Sequence, residues 1–141
     1  MSTDHKRPLL EVEDLHVHFP IYGGILRHQV ATVKAVDGVT MSVDRGQTIG
    51  LVGESGSGKT TVGRAICNLH RAMTPDVHLD GRIWFDSEGE RVDVNGIDRL
   101  EMLPHRAEIS MIFQDPISSL NPRMTVQQII EGPLRIHRPE M

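Results

Sequence analysis

One octapeptide restricts this chain more than any other feature: Gly53-Glu54-Ser55-Gly56-Ser57-Gly58-Lys59-Thr60. Gly53, Gly58, Lys59 and Thr60 complete the pattern Gly-x-x-x-x-Gly-Lys-[Ser/Thr]. Before it, Gln-Thr-Ile-Gly-Leu-Val (residues 47–52) is a short, nearly continuous apolar run, as expected of a strand buried on both faces. After it, Val62, Ala65, Ile66 and Leu69 recur at helical spacing. Strand, glycine-rich loop and helix in that order form a cradle for phosphate. Gly53, Gly56 and Gly58 allow positive φ and close backbone approach. The loop amides, with Glu54, Ser55 and Ser57 between the glycines, then point inward as a nest. The helix start adds its dipole and unpaired N–H groups. Lys59 supplies charge to β- and γ-phosphates, the Thr60 hydroxyl suits Mg²⁺, and Thr61 can donate to the α-phosphate. A dinucleotide fingerprint beginning at Gly56 fails, because Thr61 stands where its last glycine would be.

The 141 residues suffice for one domain with a core. The formal charge of −4 offers no basic face for nucleic acid, so affinity for phosphate must be local. Cys67, the only cysteine, cannot form an internal disulfide, which fits a reducing compartment. Residues 1–8 lack the apolar run of a secretory signal and read as a flexible N-terminus. No stretch approaches the ~20 apolar residues of a membrane span, so any spanning falls to another chain.

Elsewhere, an alternating strand is expected from Leu10 to Phe19, interrupted at Asp14, followed by a loop from Pro20 to His28. A second strand runs from Val30 to Val43, broken at Asp37-Gly38. Thr74-Pro75-Asp76 ends the helix that follows the glycine-rich loop. Gly81 to Asp86 and Glu90 to Val94 form a hairpin around Ser87-Glu88-Gly89. A short helix is expected before Pro104, and a buried strand over Ile109–Phe113. Thr125 and Gln128 make a capping box for a helix that Gly132-Pro133 should interrupt.

The flanks of the glycine-rich loop sharpen the reading. Val33-Lys34-Ala35-Val36-Asp37-Gly38-Val39, the run Gly50 to Thr61, and above all Met111-Ile112-Phe113-Gln114-Asp115-Pro116-Ile117-Ser118-Ser119-Leu120-Asn121-Pro122-Arg123-Met124 resemble the ATP-binding subunits of ABC transporters, within them the oligopeptide/dipeptide importers. The resemblance covers residues 9–141 and implies an α/β fold: a phosphate-loop NTPase core, here incomplete, with an N-terminal antiparallel β-subdomain. It implies ATP and Mg²⁺ as ligands and places Gln114 at the Mg²⁺ and the attacking water, on a loop that couples to the membrane partner. It places Phe19 against adenine, with Tyr22 as rival. The implied partners are transmembrane permease subunits and a second ATP-binding subunit, with the chain peripheral on the cytoplasmic face of the membrane. A Leu-Ser-Gly-Gly-Gln-type signature, an apolar strand ending in Asp-Glu and a switch histidine are also implied, and none stands in the sequence. The expectation is an N-terminal part of a longer subunit that binds ATP without hydrolysing it. Rival readings are a different phosphate-loop enzyme, such as a small-molecule kinase, and a non-catalytic nucleotide-binding fragment.

Other constellations read as structural. His16 and His18 share a strand face, but the sequence shows no third metal ligand nearby. A calcium loop from Asp76 fails at Ser87, where a bidentate glutamate is needed. Cys67 and the methionines Met41, Met102 and Met111 are expected to pack, and Asp86, Glu88 and Glu90 to form a solvated hairpin tip.

Overall fold

The alternation read in the first strand is what organises the molecule. Val12, Leu15 and Val17 are fully buried, and they lie on β1, Leu10–Gly23. The computed structural model describes residues 7–24, 28–74, 76–115 and 120–137. Residues 1–6, the loop tip 25–27, Pro75, the stretch Pro116–Ser119 and the last four residues lie outside the described ones.

β1 pairs antiparallel with β2, His28–Val43, on one edge and with β3, His78–Ser87, on the other. β4, Glu90–Asp93, pairs with β3, so the sheet order is β2-β1-β3-β4. The β3–β4 turn has both central residues at positive φ, Glu88 at 50° and Gly89 at 94°, which matches the twist of a two-residue hairpin. The acidic tip is less free than expected: Asp86 accepts from Arg45 at 2.9 Å and from the Gly89 N–H at 3.0 Å.

Both long strands extend further than the sequence suggests. β1 continues through Pro20 to Gly23, where a loop was expected. Past His18 it is paired with β2 alone, a one-sided setting in which proline's missing N–H is tolerated. β2 runs unbroken across Asp37-Gly38, absorbing the irregularity as shifts of register.

α1, Lys59–Ile66, lays Val62 and Ala65 on the sheet among Val12, Val36 and Ile83. One helix carrying Val62 to Leu69 and ended by Thr74-Pro75-Asp76 was expected. Instead α1 stops, Asn68 turns left-handed at φ 49°, and a single-turn α2, His70–Met73, follows. The Asn68 amide holds this break by donating to the Val94 carbonyl at 2.9 Å. Before Pro104 there is one turn and not a helix, with Asp98 accepting from the Leu100 and Glu101 N–H groups. A 3₁₀ turn occupies Pro104–Ala107. α3, Val126–His137, starts at the expected capping box: the Thr125 N–H donates to Gln128 Oε1 at 2.9 Å and the Gln128 N–H to Thr125 Oγ1 at 3.3 Å. It then continues through Pro133, contrary to expectation; a single proline removes one helix bond without ending the helix here.

Two buried strands were expected, over 47–52 and 109–113, and neither forms. Val52 is 94% exposed and Ile112 87%. A strand buried on both faces needs a ladder on each edge. Among the described residues no strand lies beside either segment, so both remain without a ladder.

Candidate nucleotide site

After β2 the chain turns at Asp44–Gln47, closed by the Gln47 N–H to the Asp44 carbonyl at 3.1 Å. It then runs to a second turn, closed by the Ser57 N–H on the Glu54 carbonyl at 3.2 Å. Gly58, at φ 89° and ψ 0°, delivers it into α1. The first bond of the helix comes from Val62, whose N–H donates to the Gly58 carbonyl at 2.9 Å. The N–H groups of Lys59, Thr60 and Thr61 therefore lack intrahelical partners, and no side chain caps this end. Three donors and the helix dipole converge where the glycine-rich loop bends.

Gly58 is fixed by space as well as by angle, and Gly53, which does not take the positive φ expected of it, is crowded by a side chain alone. A Cβ on Gly58 would stand 2.2 Å from the Ala35 carbonyl oxygen, and one on Gly53 would stand 2.6 Å from Ser57 Oγ. The loop thus rests directly on β2. Lys59 folds back over it: its Nζ donates to the Gly53 carbonyl at 2.8 Å, to the Glu54 carbonyl, and to Ser57 Oγ at 3.2 Å. The ammonium closes the loop through these contacts and is held at its rim. Thr60 and the loop residues Glu54 to Ser57 are exposed, and Thr61 is half-buried. The Thr61 carbonyl accepts from His70 Nε2 at 2.9 Å, which fixes that tautomer of the buried His70.

Gln114 directly follows segment 109–113 and is exposed. Met111, three residues before it, lies beside α1, its terminal methyl 3.9 Å from the Cβ position of Gly63. Ile109 packs against the core. The segment carrying Gln114 therefore runs alongside the helix that begins at Lys59.

Phe19 is partly buried, packed against the core and edge-on to His70, ring centroids 5.6 Å apart. Tyr22 is 42% exposed and lines an open depression of about 310 Å³ with His18, Gln29 and Thr32. The two aromatic groups at this end of β1 thus differ in accessibility.

Arg106 was not singled out from the sequence. Its guanidinium donates to the Cys67 carbonyl at 2.9 Å and the Asn68 carbonyl at 3.2 Å, satisfying the C-terminal end of α1. The only legible signal is a cation placed to meet a helix C-terminus, and the separation of 38 positions between Asn68 and Arg106 hides it. Cys67 itself is buried, and that burial pushes its thiol above the ordinary range, against a smaller opposing effect of Arg106. Its reaction with an aromatic disulfide reagent near pH 8 is expected to be at least roughly tenfold slower in the folded chain than in urea. Equal rates would show that this end of α1 is open.

The family model described as ABC transporter matches residues 36–139. The chain belongs to that family. It is similar to the oligopeptide transport ATP-binding protein OppF of Escherichia coli strain K12, 44% identical over 142 residues that cover 99% of this chain and 39% of that protein. It is also similar to the oligopeptide transport ATP-binding protein AppF of Bacillus subtilis strain 168, at 38% identity over 97% of this chain and 39% of that protein. A third relative is the peptidoglycan transport ATP-binding protein YejF of Agrobacterium fabrum, at 40% over 96% of this chain and 23% of that protein. The chain spans about two-fifths or less of the length of these relatives. Among the described residues no helix is long and apolar enough to cross a membrane.

Proposed function

We propose that these 141 residues hold Mg-ATP in the ATP-binding component of a peptide importer. The observation that carries the reading is the start of α1: three N–H groups without intrahelical partners behind a loop whose curvature Gly58 and Lys59 maintain. The names of the relatives supply the peptide, and the family match does not favour a small-molecule kinase. Gly53 to Thr61 cradle the phosphates, and Lys59 exchanges its carbonyl contacts for β- and γ-oxygens. The Thr60 hydroxyl and the Gln114 amide carbonyl are hard oxygen donors, the kind Mg²⁺ takes, and both are exposed. Bound Mg²⁺ would neutralise charge on the phosphate oxygens. The partners proposed are permease subunits that span the membrane and a second ATP-binding subunit, with this chain peripheral on the cytoplasmic side.

Within this sequence the phosphate-holding groups are present, whereas the signature and the Asp-Glu strand implied by the resemblance are not. The chain by itself is therefore assigned binding and not turnover.

The test is a titration with a fluorescent ATP analogue, with and without Mg²⁺. Saturable binding that ATP displaces is expected, and its absence would remove the reading. The same assay assigns the base contact. If Phe19 stacks on adenine, Phe19→Ala should weaken ATP roughly tenfold and leave inorganic triphosphate unaffected, stacking being worth about 1–3 kcal/mol. The same loss on Tyr22→Ala alone would move the role to Tyr22.

A further inference from the structure

His16 and His18 carry no metal in a reading of the sequence, because no third ligand stands near them. Folding supplies it. His16 on β1 stands opposite Asp37 on β2 in the strand register, and shifts of register flank His16 on both sides. Such bulges re-aim side chains. The result is that one ligand atom from each of His16, His18 and Asp37 lies within 4.8 Å of the others. Asp37 Oδ1 is 3.0 Å from His16 Nδ1 and 3.4 Å from His18 Nε2.

Three further observations turn proximity into a built site. His18 Nε2 is buried yet makes no hydrogen bond, an uncommon condition for a ring nitrogen that faces a carboxylate. His16 Nε2 lies 3.1 Å from Asp14 Oδ1, so in the tautomer protonated at Nε2 it donates there, and Nδ1, 3.0 Å from Asp37 Oδ1, turns its lone pair toward an ion shared with that carboxylate. That is the carboxylate–histidine pair which orients metal-bound imidazoles. Gly38, at φ 84°, offers no side chain beside the His16 ring; its Cβ position is 3.7 Å from His16 Cε1.

We propose that His16 Nδ1, His18 Nε2 and the Asp37 carboxylate bind a divalent transition cation of the Zn²⁺ or Ni²⁺ type, with Asp14 orienting His16. Two imidazoles and one carboxylate suit such borderline ions and leave positions for water. With bonds of about 2.0–2.2 Å the ligand atoms of a tetrahedral ion stand roughly 3.4 Å apart, so both Asp37 distances are already near what the ion needs. Lys34, 3.3 Å from Asp37 Oδ2, keeps the second carboxylate oxygen and limits Asp37 to one bond. The site uses none of the residues of the glycine-rich loop.

The probe is Co²⁺ titrated into the whole chain, followed by its visible absorption, and then displaced by ZnCl₂ in calorimetry. One equivalent is expected, with affinity falling at least tenfold in both His18→Ala and Asp37→Asn and by a smaller factor in Asp14→Ala. Arg135→Ala, on α3, should bind the metal as the parent does. Absence of saturable binding, or binding undiminished in His18→Ala, overturns the proposal. Zinc X-ray absorption on the unaltered chain decides the matter should a variant not fold. Two imidazoles with an oxygen are expected, and a sulfur neighbour, which only Cys67 or methionine could supply, would overturn it.

Discussion

Lys59→Ala is expected to weaken Mg-ATP binding by roughly ten- to a hundredfold, the value of one or two charge-assisted hydrogen bonds. Two effects act together. The variant removes the cation that would meet the β- and γ-phosphates. It also removes the contacts to the Gly53 and Glu54 carbonyls and Ser57 Oγ, so the loop loses its closing strap. Both effects act through the ammonium, so Lys59→Met, which keeps much of the stem without it, separates them from packing of the stem. A similar loss in both variants assigns the effect to charge, and recovery in Lys59→Met assigns it to packing. Isothermal calorimetry with Mg-ATP reads the difference. A parent-like affinity in Lys59→Ala would show that this lysine does not face the phosphates.

Gly58→Ala is expected to cost at least about 3 kcal/mol of stability and to abolish nucleotide binding. The left-handed backbone accounts for about 1–2 kcal/mol of that. The rest is collision: the new methyl would meet the Ala35 carbonyl oxygen at 2.2 Å, and that oxygen belongs to a paired strand that cannot withdraw cheaply. Gly56 provides the control. It has nearly the same backbone angle, φ 81°, with nothing within 4 Å of its Cβ position. Gly56→Ala should therefore lose only the conformational part. Urea melts of the two variants measure the gap. Equal losses would mean that α1 does not start against β2 as described.

The glycine-rich loop was legible because its requirements are local: glycine for angle, lysine for charge, a helix start for donors. The capping box at Thr125 and Gln128 was legible for the same reason. The hairpin around Glu88-Gly89 was legible because its turn type selects its residues. What failed was non-local. The segments 47–52 and 109–113 have the composition of buried strands, yet a strand forms only beside a partner. The third member of the His16–His18 cluster, Asp37, lies 21 residues away from His16 and arrives through strand register. Hydrophobic pattern fixes which face a residue takes, not which residue stands opposite. Pro20 and Pro133 misled for a related reason: each forbids one hydrogen bond, and the surroundings decide whether that bond was needed.

Arg106 grips the last carbonyls of α1, while the Ala35 carbonyl presses on Gly58 at its start. A helix held at both ends cannot translate along its axis to meet a ligand. The three donors at its start are therefore set before any anion arrives, and little ordering entropy remains to oppose capture. Selectivity among anions then falls to reach and charge rather than to adaptation.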